Sequence, residues 1–442
     1  MVALVDVDTF SRIDKLFVDQ KEMAPEDSFA KRAAYRIDVI CGHEVGTCRT
    51  AQAAAMTALR IAERCYPGGV GLHASEAVRA KLFGNGSTAS RQYARLSTSP
   101  DYVIVVGTAD PVDHCLQVSF DGWTAQVGPG QGERLAERDH CPLAGVLAGA
   151  LAVSETFMDF AGIDVAATRR RIQMSLWEPG VKSPDVGPKL TYLPTRAWLA
   201  GLGHLGQAYA WAYSWLPVSA RARPELWLVD DERIGDSNLE TGVLNLRADL
   251  GDYKARMASA WLAQRGVETR MIERRIDASF RVANGEPMLI LGGFDSNPAR
   301  HVLANAGATL VDAGIGDRAD NFDTIVIRTW PNPRSAEDLW PSHASRNDLA
   351  SRLARDNPAY TALTNDICGR VQLAERAVGV PFVGMAAAAF AWAQVLRDLH
   401  GGRHLTDLKI KLSSPGEMEA FSRPSTAEDI EHIEYVDNSA LS

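Results

Sequence analysis

The sequence has no run of eighteen uninterrupted apolar residues, no Cys-x-x-Cys pair and no surplus of basic charge. The first absence sets aside a helix of simple hydrophobic type crossing a membrane. Asp6, Asp8, Arg12 and Asp14 fall where a secretory leader needs an apolar core, so no leader is expected. Six scattered cysteines (41, 48, 65, 115, 141 and 368) suit neither a disulfide framework nor a structural zinc site, and a cytoplasmic protein is the expectation. With 46 basic against 55 acidic residues, the formal charge of −9 argues against a broad nucleic-acid-binding face.

What is present describes a globular chain. Its 442 residues are 46% apolar and 23% charged, enough for two domains with sizeable cores. Strand-like stretches at 36–41 and 102–106 and a hairpin around Asp121-Gly122 alternate with an Ala-rich helix from about Thr50 to Cys65. The second half repeats this order. A strand at 197–200 meets a Gly-rich turn and a helix from Gly206; a strand at 225–229, helices from about Asn238 and Lys254, and strands at 288–291 and 309–311 follow. Such alternation predicts a wound α/β sheet. The first ~35 residues read as a helix or arm without legible chemistry, and 331–366 as an excursion from the core.

One internal similarity bears on architecture. Residues 142–162 lie without gaps on 381–401 with seven of 21 positions identical, including a Pro-x-x-Gly start and the final Gly, and each is followed by a strand-like stretch. Duplication predicts two related halves.

Chemistry concentrates in the second half. Gly201-Leu-Gly203-His-Leu-Gly206 gives G-x-G-x-x-G between a strand and a helix, where backbone and helix amides can meet a phosphate. Asp230 closes the next strand, placed for ribose hydroxyls, although it comes 29 residues after Gly201, later than the usual spacing of about 20. An ordered series follows: Ser237-Asn238-Leu239, Lys254, then Asp295 and Arg300.

This series resembles the ubiquitin-activating-enzyme superfamily with its ThiF/MoeB adenylyltransferases, over roughly residues 195–402, and is similar to the activating enzymes of bacterial ubiquitin-like conjugation operons of the Bil antiphage type. The resemblance implies two Rossmann-like ThiF-type halves in a pseudo-dimer. A degenerate half would span 1–180 and an active adenylation domain 181–402, with a cysteine-bearing crossover at 331–370; a final strand and tail would occupy 403–442. It implies ATP and Mg²⁺, adenylation of a ubiquitin-like protein's C-terminal carboxylate, thioester formation and transfer to a conjugating enzyme. Asp295 matches the magnesium-holding aspartate and Lys254 the phosphate-contacting lysine; Ser237 and Asn238 match the family's Ser-Asn pair. Arg300 would be a second cation, and Cys368, after the excursion and near a capping Asn365 or Asp366, the acyl carrier, with Cys141 the runner-up. Neither nucleic acid nor membrane is an expected partner, and homodimerisation is left open.

The chain departs from the family where x-Arg-Gln normally follows Ser-Asn-Leu: Glu240, Thr241 and Gly242 stand there. Arg247 lies about 240° further around a continued helix and is no substitute. Paired domains in this family lend a basic residue across their interface, the implied remedy. The rival readings are a sulfur-carrier adenylyltransferase, an inactive ubiquitin-like-binding scaffold, and an NAD-dependent oxidoreductase on the same Gly turn. A metal site around Cys41, His43 and Cys48 competes with ordinary packing.

Overall fold

The computed structural model describes residues 10–84, 93, 99–110, 112–341, 347–363 and 366–440. Two mixed sheets form its frame. The first joins β1 (Ile37–Cys41), β2 (Val70–His73), β3 (Tyr102–Val106), β4 (Cys115–Asp121), β5 (Thr124–Pro129) and β6 (Ile172–Ser175) in the order β2-β1-β3-β4-β5-β6. The second comprises β8 (Arg196–Ala200), β9 (Glu225–Val229), β10 (Glu268–Ile272), β11 (Leu289–Gly292), β12 (Thr309–Ile315), β13 (Thr324–Trp330), β14 (Arg403–Lys411) and β15 (Glu419–Pro424). Its order is β10-β9-β8-β11-β12-β13-β14-β15. The short strands β7 (Tyr192–Pro194) and β16 (Tyr435–Asp437) pair apart from both.

The two sheets share one plan. Each contains four consecutive parallel strands, β2-β1-β3-β4 and β9-β8-β11-β12 (β10 adds a fifth at the edge of the second), followed by two antiparallel strands, β5-β6 and β13-β14. This is a Rossmann-like α/β arrangement. The helices Pro142–Ala161 and Pro381–Leu399 each connect the corresponding antiparallel pair and pack against one another. Their shared Pro-x-x-Gly starts serve close approach. A Cβ on Gly145 would lie 2.0 Å from the Thr50 carbonyl oxygen, and one on Gly384 would lie 2.4 Å from His204 Nε2. Helix Pro142–Ala161 is apolar and long enough to cross a membrane by length and composition, yet 94% of its most apolar window is buried within the fold.

Three expectations need correction. The segment 331–366 is not a bare excursion: Leu339 and Trp340 are buried with Trp198 and Trp227, and helices Asn347–Asp356 and Pro358–Leu363 follow. Apolar residues spread through polar sequence hid that core. The tail is more than one strand, because β14 and β15 extend the main sheet and β16 pairs back onto β7. The helix after the Gly turn begins at His204, before Gly206.

Candidate active site

β8 ends in Ala200, Gly201 takes φ +85°, and the helix His204–Trp215 starts three residues later. Only glycine adopts that angle cheaply. A Cβ on Gly206 would stand 1.8 Å from the Gly201 carbonyl oxygen, so the third glycine lets the helix press onto the turn, whereas a Cβ on Gly203 would meet nothing within 4 Å. No side chain caps the helix at Gly203. Its first-turn amides and positive dipole end thus face an open approach, suited to a phosphate.

Asp230 is buried and holds this turn: Oδ2 accepts the Leu202 amide at 2.6 Å and Oδ1 the Glu232 amide at 2.8 Å. Burial pushes its carboxyl upward, and the Lys254 ammonium opposes that shift. Lys254, buried at the start of helix Lys254–Ala263, donates to the exposed Glu232 carboxylate, and this bond and charge hold Glu232 below the usual range. Asp295 is exposed and free of capping duty, since Ser296 caps helix Asn297–Ala304 by accepting the Ala299 amide. Asn238 Oδ1 accepts the Gly235 amide, and Ser237 precedes the four-residue helix Asn238–Thr241.

That helix is too short for the wheel argument applied to Arg247. Arg247 sits in a separate turn, exposed, 3.7 Å from Asp236. Arg300, on helix Asn297–Ala304, pairs with the sheet: its Nε lies 3.2 Å from Asp312 Oδ2 on β12. Asp312 is fully buried; burial raises its carboxyl to about 6 even though Arg300 and Arg328 oppose the shift.

The residue that sequence reasoning missed is Arg12. The amino-terminal arm, read as lacking chemistry, carries it into the site. Arg12 O accepts the Gly379 amide at 3.3 Å, and a Cβ on Gly379 would lie 3.5 Å from Arg12 Cδ and 3.0 Å from Thr241 Cγ2. Arg12 therefore adjoins the position where the family's arginine is missing. Burial lowers the affinity of its guanidinium for a proton, against the pull of Asp295, Glu232 and Glu240. Its Nε is buried and finds no partner among the described residues. No local pattern marks residue 12. Only the neighbouring Glu240-Thr241 departure from the family pattern bears on it.

Cys368 is the second residue of helix Ile367–Glu375, and Asp366 Oδ2 accepts the Gly369 amide at 2.8 Å, capping it. The Cys368 side chain and Asn365 lie outside the described residues. Cys141 is unsuited to attack: it is fully buried, and burial pushes its thiol up to about 12. Among the described residues no cluster of three metal-ligating side chains occurs, and Cys48 instead caps a helix by accepting the Ala51 amide at 3.4 Å. A pocket of about 420 Å³ over β13–β15, lined by Arg328, Arg334, Asp407 and Phe421, holds none of the nominated residues.

His204 gives a pH dependence. Burial, reinforced by Arg12, lowers its imidazole to about 4. In the unfolded chain the ring protonates near its ordinary 6.5, so stability is complete above that value and is lost as pH falls towards 4. Between pH 7 and 4.5 the loss is about 2 kcal/mol. Urea titrations of His204→Gln should show a correspondingly flatter pH profile.

Family models agree with this chain over most of its length. A BilD N-terminal domain matches residues 36–176 and a BilD C-terminal domain residues 193–402. The bacterial E1-like protein BilD of Collimonas sp. (strain OK412) is 34% identical over 421 residues, covering 90% of each chain. A crystal structure of selenomethionine PaaA aligns at 13% identity with a TM-score of 0.35, over 52% of this chain and 64% of that one. With both domain models in order along the chain and the Gly201 turn inside the second, the chain belongs to the BilD family of bacterial E1-like proteins.

Proposed function

We propose that this chain activates a ubiquitin-like protein by adenylating its C-terminal carboxylate at the Gly201–Gly206 turn, with ATP and Mg²⁺. The acyl group then passes to Cys368 and on to a conjugating enzyme. Family membership supports an E1-like role in general. The observation carrying the specific reading is that Arg12 lies within electrostatic reach of Asp295 and of Glu232, the partner of Lys254, near a helix end that no side chain caps.

Two anions, a carboxylate and a triphosphate, must approach one another, so the site has to supply positive charge. Lys254 and Arg12 provide it, the amides after Gly203 add partial charge, and Asp230 faces the ribose while bracing the turn. Asp295 is the carboxylate for Mg²⁺, which would neutralise phosphate oxygens. Arg12 takes the part of the arginine absent at Thr241. Arg300, paired with Asp312, shapes the neighbouring sheet face and acts on charge from a distance.

The first half has the matching turn but a different occupant. After β1, the Glu44 carboxylate accepts the Thr108 amide at 3.2 Å and the Thr108 hydroxyl, and lies 3.4 Å from Arg134. Burial works against this charge, yet the Thr108 bonds and Arg134 hold the carboxyl at about 2. A Cβ on Gly42 would come 2.4 Å from Glu44 Oε2, so the chain's own carboxylate fills that cradle. Two corresponding halves with one open turn support the duplicated, half-degenerate organisation, with boundaries near 180 and 402. Calorimetry with a non-hydrolysable ATP analogue and Mg²⁺ should accordingly find one nucleotide per chain. Two equivalent sites would contradict the assignment.

The direct test is ATP–pyrophosphate exchange that depends on a ubiquitin-like protein with an intact C-terminus. Nucleotide binding without exchange would favour the scaffold reading, and NAD binding without ATP binding the oxidoreductase. Antiviral defence is the biological setting that the Bil resemblance suggests.

A further inference from the structure

Arg12 occupies a turn just ahead of helix Asp14–Lys21. A long cation on such a turn is aimed only as well as its flanks are held. Here both flanks are clamped by buried or half-buried polar groups.

On one side the clamp is Glu240. Ser11 Oγ reaches its two carboxylate oxygens at 2.8 and 2.7 Å and accepts the Asp14 amide at 2.9 Å. Arg32, itself buried, bridges Asp14 (2.9 and 3.0 Å) and Glu240 (3.1 Å). Glu240 directly precedes Thr241, so the residue beside the missing arginine recruits the arm that brings one.

On the other side the clamp is Tyr360. Its hydroxyl donates to Asp19 Oδ1 at 2.6 Å and accepts from Lys15 Nζ at 3.1 Å, while Lys15 also pairs with Asp19. Asn357 Nδ2 donates to the Val18 carbonyl at 2.8 Å, and Phe10 and Val18 pack with Ala354, Tyr360 and Leu363. Lys15 and Asp19 keep only 2% and 4% of their side-chain surface exposed. A buried polar network of this kind is costly unless fully satisfied, and when satisfied it fixes one geometry.

We propose that Glu240 and Tyr360 are positioning residues that aim Arg12 at the terminal phosphates, so that the seating of helices Asn347–Asp356 and Pro358–Leu363 and the affinity for triphosphate are linked. The inference rests on the reading of Arg12 as a phosphate-binding cation. Linkage is reciprocal: what loosens residues 347–363 weakens triphosphate binding, and triphosphate steadies those helices.

Calorimetry on the full chain tests this with a non-hydrolysable ATP analogue plus Mg²⁺, and with AMP, which lacks the terminal phosphates. Arg12→Ala should weaken the analogue about 10- to 100-fold, as expected for hydrogen bonds to a charged group, and leave AMP within about twofold. Glu240→Gln and Tyr360→Phe should each weaken the analogue about 3- to 10-fold, spare AMP, and add nothing further in the Arg12→Ala background. A merely structural role would move AMP as well, or persist in that background; either result overturns the proposal, as does an unchanged affinity in both single variants. If Arg12→Ala leaves the analogue unaffected, the cation assignment falls and the positioning claim with it. Failure of the wild-type chain to bind the analogue would overturn the adenylation reading itself.

Discussion

Alanine at Lys254 should lower partner-dependent pyrophosphate exchange about 10²- to 10³-fold, the scale on which removal of one preorganised transition-state contact is felt. The ammonium is nearly buried while its partner Glu232 is exposed, so the charge is held at the turn by a carboxylate that water can take over in the variant. The fold should tolerate the change: Lys254 opens its helix, where alanine is a good helix former, and no buried anion is stranded at Glu232. Asp230 and Glu232 are the groups expected to notice, since Lys254 opposes the upward push of burial on the first carboxyl and holds the second below its usual range. The two amide bonds of Asp230 persist, so the stability cost should stay within about 1–2 kcal/mol. Circular dichroism of the variant should match the parent. Exchange surviving within fivefold would remove Lys254 from the chemistry. Asp295→Asn should be similarly inactive with a smaller effect on stability, because that side chain is exposed and does not cap its helix.

Cys368→Ala should separate the two half-reactions: exchange stays within about twofold, and the reductant-sensitive adduct with the ubiquitin-like protein disappears. The physical case lies in position. Residue 368 follows the first residue of a helix capped by Asp366, and the first turn of a helix is a common setting for reactive cysteines. The other cysteines are buried or half-buried. Burial pushes Cys41 and Cys141 up to about 12 and the half-buried Cys48 up to about 11, and Cys65 and Cys115 are buried and raised as well. Gel analysis with and without reductant reads the outcome directly. An adduct persisting in Cys368→Ala would move the acyl carrier to another residue.

Much of the candidate site was legible because it is local. G-x-G-x-x-G, Ser237-Asn238, Lys254 and Asp295 each sit at the end of a strand or start of a helix, and parallel strands gather those ends on one edge without further information. The gapless match of 142–162 to 381–401 is of the same kind: two helices in equivalent places, each needing a glycine where another element comes close. Arg12 was illegible for the converse reason. It belongs to an arm whose weak periodicity says nothing of where it docks, and its neighbours Glu232, Glu240 and Asp295 lie more than 200 residues away. The same holds for Glu44, whose carboxylate in the first cradle reads in sequence only as a charge in a loop.

Sequence alone determined the kind of protein: hydrophobic periodicity and glycine spacing depend on neighbours within a few turns of chain and specified an α/β fold, and the resemblance carried by the ordered motifs pointed to the E1-like family. Tertiary structure decided which charges meet. Electrostatic interactions act through space, and burial makes them strong. Placing Arg12 beside the gap at Thr241, pairing Arg300 with Asp312 and plugging the first turn with Glu44 therefore required the packing of two halves and an arm, which no single stretch of residues records.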